Sequence, residues 1–305
     1  MKAFSYQTRT GEIRIGVETE EGRFNFTHAW EIFKELKSKG RGPDLHFLQL
    51  MVEMDFFRSE IFREVFTTLR RFRPLDDLRL EDGVRFQVPI ARPQKILCIG
   101  RNFKAHAAEW GAQVPVEPIF FAKMPTSLLC HEGTIILPPG VGRVDHELEL
   151  AVVIGKQGKN IPVSAAWEYV AGYTIANDVT ARDLQRQDME AKRPWLRSKS
   201  FDTFCPMGPY LVPSDAAPGI EQARMELRVN GQVRQQSKVA EMVFSIPELI
   251  SYISRFMTLA PGDIICTGTP EGTLPLVAGD LVEAEIEGLG VLRNRVADGL
   301  PKEAA

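Results

Sequence analysis

Cysteines are few in this sequence, and long apolar runs are missing. Only four of the 305 residues are cysteine, and their wide spacing contains no C-x-x-C pair. We therefore expect reduced, mostly buried thiols rather than a disulfide framework or a zinc site. No apolar stretch approaches the roughly 20 residues that are needed to span a bilayer, so a transmembrane protein is not expected either.

A strong net charge and an apolar N-terminal segment are also missing. The formal net charge is -3 and the isoelectric point is near 6.0, so the sequence carries no electrostatic footprint for nucleic acid or for an anionic membrane. Residues 1–9 lack the apolar core of a signal peptide. Together these absences predict a cytoplasmic protein whose partners include neither nucleic acid nor membranes.

The first ninety residues alternate between strand and helix patterns. Residues 3–27 resemble short strands, and residues 28–39 and 45–69 carry apolar side chains at helical spacing. Residues 75–90 return to patterns that are typical of short strands. The sequence therefore predicts a small N-terminal α+β module over residues 1–90.

Beyond a linker at residues 91–93 the pattern becomes rich in strands, with turns that contain glycine and proline. Helical pattern in this part is confined to three segments, at about residues 103–110, 164–169 and 246–257. A chain of 305 residues is long enough for one large domain or two, and the change of pattern favours two. We predict a fold of the α+β class, predominantly β, with a second and larger domain over residues 91–305.

Two glutamates begin an apolar strand at residues 145–154. Side chains two apart on a strand point the same way, so Glu147 and Glu149 share one face. Apolar residues continue along both faces, which indicates that the strand enters a core. Carboxylates buried there need a cation or hydrogen-bond donors, because burying an unpaired charge is very costly. The alternative for an isolated Glu-x-Glu pair is a solvated strand end, with both side chains in water.

A third acid ends another apolar strand, at residues 171–178. Asp178 in that position is a candidate ligand that would join the two glutamates. Three carboxylates with water make an oxygen-only site, which suits Mg²⁺, Mn²⁺ or Ca²⁺ rather than zinc. Arg182, four residues later, either orients Asp178 or binds a substrate carboxylate, and Asp183 is an equally good surface partner for it.

A histidine and a glutamate lie three residues apart after a predicted strand at residues 96–99. His106 and Glu109 would be neighbours on a helical turn. A carboxylate that is hydrogen-bonded to an imidazole fixes its tautomer and raises its basicity, so the pair is a candidate for taking a proton from water. The alternative for such a pair alone is a surface histidine with an incidental glutamate.

A lysine between aromatic residues and a turn that contains glycine complete the candidate groups. Lys199 near three acids would balance their charge and bind an enolate oxygen, although an exposed lysine explains the pattern equally well. Residues 262–272 resemble a strand that enters a turn, whose N–H groups, with the hydroxyl of Thr269, suit a carboxylate. This turn is not a P-loop, since the spacing G-x-x-x-x-G-K-[ST] is absent.

These stretches, taken together and in this order, resemble the fumarylacetoacetate hydrolase family over residues 92–297. Six motifs agree in identity and spacing, which makes the resemblance specific. They are Gly-Arg-Asn-Phe at 100–103 with His106 and Glu109, His-Glu-Leu-Glu-Leu at 146–150, Gly-Tyr-Thr at 172–174, Asn-Asp-Val-Thr-Ala-Arg-Asp-Leu-Gln at 177–185, Lys-Ser-Phe-Asp at 199–202 and Thr-Gly-Thr-Pro at 267–270. The first ninety residues are similar to the looser N-terminal module of some bacterial members.

The resemblance implies a fold, a cofactor and a catalytic pair. The fold would be the family's mixed β-roll with few helices, assembled as a homodimer. The metal ligands would be Glu147, Glu149 and Asp178, with Mg²⁺ or Mn²⁺ bound. His106 and Glu109 would form the dyad that activates water, on a lid segment that orders over the bound substrate.

The other matched residues are expected to act on the substrate. By the resemblance, Lys199 and Arg182 support the substrate and the developing enolate, Thr269 belongs to the loop that receives a substrate carboxylate, and Gln185 occupies a polar position on the substrate side. Arg101, in the first motif, is expected to bind substrate as well. One departure is Cys-His-Glu-Gly at 130–133, where many relatives have a Gly-Pro-Gly loop; we expect it to alter the pocket rim.

The reaction that the resemblance implies is metal-dependent hydrolysis of a C–C bond in a small 2-oxo or 2,4-dioxo acid of the acylpyruvate type, as in the catabolism of aromatic compounds. Two alternatives use the same centre, an oxaloacetate-type decarboxylase and a 2-hydroxydienoate isomerase, because each forms or moves an enolate. The dyad favours hydrolysis. A non-catalytic metal-binding scaffold is a more remote alternative, since no ligand or dyad residue is missing.

Overall fold

A large mixed β-sheet forms the centre of the molecule in a computed structural model, which describes residues 1–81 and 83–299. The strands of those residues are β1 (Lys2–Gln7), β2 (Ile13–Thr19), β3 (Gly22–Asn25), β4 (Arg85–Gln87), β5 (Ile96–Gly100), β6 (Ile119–Lys123), β7 (Leu128–Leu129), β8 (Thr134–Leu137), β9 (Val144–Asp145), β10 (Leu148–Ile154), β11 (Val170–Asn177), β12 (Thr180–Ala181), β13 (Cys205–Pro213), β14 (Arg224–Val229), β15 (Gln232–Lys238), β16 (Ile264–Cys266), β17 (Leu281–Ile286) and β18 (Gly290–Asp298). The α-helices are α1 (Phe26–Ser38), α2 (Leu48–Glu53), α3 (Ser59–Leu69), α4 (Lys104–Glu109), α5 (Arg182–Glu190), α6 (Leu196–Lys199) and α7 (Ile246–Ser254).

Eleven of the described strands belong to the large sheet. Nine of them follow the order β3-β2-β1-β13-β11-β10-β16-β5-β6, while β4 pairs with β1 and β7 pairs with β13. A second sheet of five strands has the order β15-β14-β17-β18-β8, and β12 pairs with β9. The pairs β5–β16, β7–β13 and β8–β18 are parallel, and the other pairs are antiparallel. The predicted α+β class with β predominating is therefore confirmed.

The N-terminal segment is built onto the same sheet. β1 pairs antiparallel with β13, with Ala3 opposite Leu211. Helices α1 and α3 pack together, and their buried Phe26 and Phe62 belong to the same apolar cluster as residues of β5, β10 and β16. The predicted domain boundary after residue 90 stays a prediction, and residues 300–305 of the predicted second domain lie outside the described residues.

Two helices, and not one, occupy the apolar pattern at residues 45–69. Between α2 and α3, Asp55 has a φ of 59° in the left-handed region, which ends a right-handed helix, and Phe57 is buried in the core. The prediction of short strands over residues 75–90 is largely wrong, because the described part of this segment forms only β4, after a 3₁₀ turn at Asp76–Leu78.

Two helices in the second part of the chain are not predicted by the sequence. Helices α4 and α7 lie in two of the three predicted segments, and the third, Val163–Tyr169, is a 3₁₀ helix. α5 and α6 are additional, so the confinement of helix to three segments is wrong. The buried side of α5 explains this, because it consists of the polar residues Arg182, Gln185 and Asp188 at helical spacing. No apolar period therefore marks the helix in the sequence.

The sequence predicts no membrane-spanning segment, and it predicts free cysteines that are mostly buried. None of the helices in residues 1–81 and 83–299 combines the length and apolar character needed to cross a membrane. All four cysteines are free, and three of them are buried, as the sequence predicts.

Strand β10 lies in the middle of the large sheet, and all seven of its residues are buried. It pairs antiparallel with β11 on one side and with β16 on the other. Because both neighbours run antiparallel to β10, the beginning of β10 lies beside the ends of β11 and β16. Leu148 faces Asn177 in this register, which brings the two glutamates at the start of β10 next to Asp178.

Candidate metal centre and active site

Three acidic side chains converge where β10 begins and β11 ends. Glu147 immediately precedes β10, Glu149 lies in it, and Asp178 follows β11. One carboxylate oxygen of each residue lies within 4.8 Å of those of the other two. Each residue is at most 4% exposed, so the solvated strand end that the sequence allowed is excluded. A buried group of three acids needs compensating charge nearby.

Two buried lysines supply part of that charge. Lys199 Nζ donates to Glu147 Oε2 at 2.7 Å and to Asp178 Oδ2 at 2.6 Å. Lys123 Nζ donates to the other oxygen of Asp178 at 2.6 Å and to the carbonyl oxygen of Val179 at 3.2 Å. Because Lys199 is 2% exposed, the exposed lysine that the sequence allowed is excluded. The sequence places Lys123 at the end of an apolar strand, but no role was predicted for it.

Arg182 connects a fourth acid to the centre. Its Nε donates to Asp145 Oδ2 at 2.8 Å, its Nη1 donates to Gln185 Oε1 at 2.7 Å, and its Nη2 donates to Glu147 Oε1. Arg143 Nε donates to the other oxygen of Asp145 at 2.6 Å. The guanidinium group therefore orients a candidate metal ligand, and its donors are largely engaged by the protein itself.

The partners of Arg182 differ from those that the sequence allowed. The acid that it orients is Glu147, whereas the two lysines hold Asp178. Asp183 accepts a hydrogen bond from the backbone N–H of Arg143 at 2.9 Å, and its surface pairing with Arg182 is not observed. Asp145 carries no sequence signal for its role, because its partners come from two separate segments.

Burial and neighbouring charges act in opposite directions on the two glutamates. Burial alone would raise the pKa of Glu147, but the charges of Lys199 and Arg182 outweigh it and hold this pKa well below its usual range. Burial and the charges of Asp178 and Glu147 all raise the pKa of Glu149. Glu149 is therefore the acid of the centre that lacks a counter-ion.

The surroundings of Glu149 fit a bound cation. In the part of the chain that the structure describes, its carboxylate receives one hydrogen bond, from the backbone N–H of Gly268 at 2.9 Å. A divalent cation among the three acids would supply the missing positive charge, and carboxylate oxygens are the ligands that hard divalent ions prefer. The residues Glu147, Glu149 and Asp178 could therefore hold a divalent metal ion.

His106 and Glu109 lie side by side on α4, as their spacing predicts. His106 Nδ1 and Glu109 Oε2 are 3.3 Å apart, and the backbone N–H of Gly272 donates to both oxygens of Glu109 at 3.2 and 3.3 Å. Burial raises the pKa of Glu109, but the hydrogen bonds from His106 and Gly272 outweigh this effect and leave the pKa below its usual value. An ionised carboxylate at Nδ1 leaves Nε2 of His106 as the nitrogen that can accept a proton.

One cavity joins the acids, the dyad and the candidate substrate residues. Its volume is about 210 Å³, and nine of the ten site residues predicted from the sequence line it. These nine are Arg101, His106, Glu147, Glu149, Asp178, Arg182, Gln185, Lys199 and Thr269. The tenth, Glu109, contacts the cavity residue His106. The remaining wall is mainly apolar and aromatic, and includes Ile99, Trp110, Phe121, Met189 and Trp195.

The residues of this cavity all lie in a segment that matches a known family. The family model described as fumarylacetoacetate (FAA) hydrolase C-terminal matches residues 95–297, which is more than half of the chain. The chain belongs to the fumarylacetoacetate hydrolase family.

Three relatives illustrate the chemistry found in the fumarylacetoacetate hydrolase family. Oxaloacetate tautomerase Fahd2a, mitochondrial, of Rattus norvegicus is 45% identical over 220 residues, which are 70% of this chain and 69% of the rat protein. A solved fumarylacetoacetate hydrolase from psychrophilic Exiguobacterium antarcticum has a TM-score of 0.77 at 32% identity, covering 98% of this chain and 100% of that one. A solved 5-carboxymethyl-2-hydroxymuconate delta-isomerase from Mycobacterium smegmatis has a TM-score of 0.73 at 31% identity, covering 99% and 100%. The predicted family fold is confirmed, and the family is one of enzymes.

Gln235 is a further residue of this family centre, and the sequence did not point to it. Its Oε1 accepts a hydrogen bond from the backbone N–H of Leu148 and lies 3.0 Å from both that nitrogen and His146 Nδ1. Its Nε2 donates to Thr269 Oγ1 and to the carbonyl oxygen of Pro270, both at 2.8 Å. The buried amide therefore joins the loop after β16 to the strand of metal ligands. Its partners lie 34 to 89 residues away, so no local pattern marks this role.

The Cys-His-Glu-Gly segment at residues 130–133 does not reach the cavity. His131 Nδ1 accepts a hydrogen bond from the backbone N–H of Arg293 at 3.0 Å, and Asn294 Nδ2 donates to the carbonyl oxygen of Cys130 at 2.9 Å. These contacts hold the segment against β18 in the second sheet, and none of its residues lines the cavity. The prediction that this segment alters the pocket rim is wrong.

Lys199→Met is expected to destabilise the metal-free protein by about 3–5 kcal/mol, because it leaves Glu147 and Asp178 buried with less compensating charge. Saturating Mn²⁺ should restore part of this loss, since an ion that binds the folded state stabilises it. Thermal unfolding with a chelator and with Mn²⁺ measures both effects. Lys37→Met, at an exposed position of α1, is the control, and equal stability of the two variants would contradict the pairing described for Lys199.

Proposed function

We propose that this enzyme hydrolyses a C–C bond in 2,4-dioxo acids of the acylpyruvate type, with Mg²⁺ or Mn²⁺ held by Glu147, Glu149 and Asp178. The observation that carries the proposal is the position of the dyad, because His106 lines the same small cavity as the three acids. A base that shares a cavity with metal ligands suits the activation of water beside a bound oxo acid. When bound, the ion would act as a Lewis acid toward the carboxylate and carbonyl oxygens of the substrate.

The charges of the centre support a reaction that forms an enolate. Four acidic and four basic side chains form a group at the three acids of the cavity. This group is neutral when all eight side chains are ionised. They are Asp145, Glu147, Glu149 and Asp178, with Lys123, Arg143, Arg182 and Lys199. A divalent ion adds two positive charges, and the enolate of a 2-oxo acid carries two negative ones. These eight side chains, with the ion and the enolate, would carry no net charge, and Arg101 and Arg186 of the cavity wall add positive charge. Both conditions favour a doubly negative form of the substrate in a buried cavity.

The proposed hydrolysis uses the dyad first and the basic residues second. His106 Nε2 takes a proton from a water molecule, while ionised Glu109 accepts the hydrogen bond from Nδ1–H. The resulting hydroxide adds to the distal carbonyl carbon of the dioxo acid. The bond from that carbon to C3 then breaks, the acyl part leaves as a carboxylic acid, and the electron pair stays on the pyruvate part as an enolate. Lys199 offsets the enolate charge, and the imidazolium of His106 returns its proton to C3.

Arg101 and Thr269 are proposed to hold the substrate. Arg101 has a φ of 59°, in the left-handed region that non-glycine residues rarely adopt, and such strain is typical of functional sites. The next residue, Asn102, keeps the segment in place, because its Nδ2 donates to the carbonyl oxygen of Thr267 at 2.7 Å. Thr269 Oγ1 is fixed by the amide of Gln235. These contacts support two pre-positioned polar groups in the cavity, as carboxylate recognition requires.

A second candidate function is keto–enol tautomerisation of oxaloacetate, and the 45% identity with the rat tautomerase favours it. This reaction moves one proton and breaks no C–C bond, so the dyad would carry a proton between substrate atoms and would not activate water. Decarboxylation of oxaloacetate and isomerisation of 2-hydroxydienoates pass through the same kind of enolate. The metal ligands and Lys199 would have the same roles in all of these reactions.

A substrate panel with Mn²⁺ separates the candidates. If the proposal is right, acetylpyruvate gives acetate and pyruvate in equal amounts, and this turnover exceeds that on oxaloacetate and on a 2-hydroxydienoate. Rapid enol–keto interconversion of oxaloacetate with no acetate released from acetylpyruvate would favour the tautomerase instead. Absence of turnover on the whole panel with Mn²⁺ bound would favour a metal-binding scaffold.

We also propose that two copies of the chain associate. β6 is the last strand in the order of the large sheet, and aromatic rings gather near it, with Phe120 5.8 Å and Tyr252 5.1 Å from Phe256 between ring centroids. Phe256 is 57% exposed, and an end strand beside an exposed ring suits burial against a second copy. Light scattering should give about twice the chain mass of 34.2 kDa, whereas the mass of one chain would contradict the proposal.

A cytoplasmic location and a role in the catabolism of aromatic compounds stay predictions.

A further inference from the structure

Trp110 lies between the dyad and the arginines of the metal centre. It follows the last residue of α4 and is adjacent to Glu109 in sequence. The guanidinium carbon of Arg182 is 4.7 Å from the centroid of its ring, and that of Arg143 is 5.5 Å away. Both distances lie within the range of cation–π attraction. Trp110 also lines the cavity and is 36% exposed.

The two arginines are held by the same buried acid. Asp145 has no exposed surface, and its two oxygens accept hydrogen bonds from Arg182 at 2.8 Å and from Arg143 at 2.6 Å. Arg182 is held further by Glu147 and Gln185. Because these cations are already fixed, stacking a ring on them orders few additional groups. The ring of Trp110 is therefore anchored to the metal side of the cavity.

The dyad helix is held at its beginning, because the preceding Phe103 is buried and pairs with Met242, but its end has few anchors besides Trp110. α4 contains six residues, and no side chain caps its beginning, so a helix of this length is unstable by itself. Within the described part of the chain, its polar link to another segment is the contact of Gly272 N–H with Glu109, at 3.2 and 3.3 Å. Burial of Ala107 and His106 adds apolar contact. The contacts of Trp110 are thus a substantial part of what fixes the end of α4, which carries Glu109.

We propose that Trp110 is a positioning residue for the dyad, and that its stacking on Arg182 and Arg143 holds α4 over the metal ligands. Trp110 acts through His106 and is not itself a proton carrier, because an indole N–H only donates. The inference rests on the proposed function in one respect, namely that His106 serves as the base. The anchoring itself is a property of the folded chain and is tested without activity.

Hydrogen exchange measures the anchoring directly. Trp110→Leu removes the aromatic face and keeps an apolar side chain, so the amides of residues 107–112 should exchange about tenfold faster. Trp110→Phe keeps a smaller ring and should give an intermediate rate. Trp167→Leu replaces a tryptophan of similar exposure in the 3₁₀ helix Val163–Tyr169 and is the control. Unchanged exchange at residues 107–112 in Trp110→Leu would overturn the proposal.

Kinetics on the most active substrate of the panel distinguishes positioning from a general structural role. Trp110→Leu is expected to lower kcat about tenfold and to change KM by less than about twofold, because the base is misplaced while substrate contacts remain. In the His106→Ala background the same replacement should have no further effect, since no base is left to position. An equal loss in both backgrounds would overturn the proposal. If His106→Ala alone leaves turnover unchanged, the proposed function fails instead, and the exchange result remains valid.

Discussion

Glu149→Gln is expected to lower the affinity for Mn²⁺ by at least about 100-fold and to abolish turnover, without destabilising the metal-free protein. Glutamine keeps the size of the side chain and an acceptor for the N–H of Gly268, which donates to Glu149 at 2.9 Å. It removes a buried carboxyl group whose ionisation is opposed by burial and by the neighbouring acids, so the metal-free variant should be as stable as the wild type or more stable. Titration calorimetry with Mn²⁺ and thermal unfolding with a chelator measure the two effects.

A loss of Mn²⁺ affinity without a loss of metal-free stability is the combination expected of a metal ligand. Glu168→Gln, which removes an exposed carboxylate, is the matched control and should change neither quantity. Wild-type affinity for Mn²⁺ in Glu149→Gln would show that this carboxylate is not a ligand. A loss of metal-free stability as large as that of Lys199→Met would instead assign Glu149 to a structural charge network.

His106→Ala is expected to lower kcat for acetylpyruvate hydrolysis by about 10²- to 10⁴-fold, the usual contribution of a general base. Its affinity for Mn²⁺ should remain that of the wild type, because His106 hydrogen-bonds Glu109 and is not one of the three acids. Product formation from acetylpyruvate and calorimetric titration with Mn²⁺ provide the two measurements.

Glu109→Gln tests the second residue of the dyad and is expected to have a smaller effect. Glutamine can still accept the hydrogen bond from Nδ1–H of His106, but it no longer stabilises the imidazolium with a full charge, so a loss smaller than that of His106→Ala is expected. Turnover that survives both replacements would rule out activation of water by the dyad. Loss of Mn²⁺ affinity in His106→Ala would mean that the replacement disturbs the metal centre itself.

The group of three acids was predictable because each of them carries a local signal. Glu147 and Glu149 stand two apart at the start of a strand that is apolar on both faces, and Asp178 ends another apolar strand. Alternation along a strand predicts that the two glutamates share a face. Their meeting with Asp178 depends on the register in which Leu148 faces Asn177, and a single sequence contains no direct information about register. Here the prediction depended on family resemblance.

The supporting residues were not predictable, because their partners are distant in the chain. Gln235 joins Leu148 to Thr269 from a different sheet, and nothing in its own neighbourhood distinguishes it from an ordinary strand residue. Helix α5 was missed for a related reason, since it buries Arg182 and Gln185 against other polar groups and so lacks an apolar stripe. Polar burial of this kind is satisfied only in the assembled site.

The relatives described above carry names of different activities, and the arrangement of this site suggests where such differences arise. Lys199 holds Glu147 and Asp178, and Arg182 holds Glu147, in an arrangement that any reaction through an enolate would use. The dyad lies on a short helix of a different segment, and its own hydrogen bond to the rest of the chain comes from Gly272. We therefore expect differences in reaction type to arise mainly from α4 and its anchors, including Trp110.

Anomalous diffraction from crystals grown with Mn²⁺ tests the central claim most directly. The account predicts one strong manganese peak among the carboxylates of Glu147, Glu149 and Asp178, within the cavity that His106 lines, and no peak there in crystals of Glu149→Gln. A wild-type map without manganese at this position, or with manganese only on exposed acids elsewhere, would contradict it.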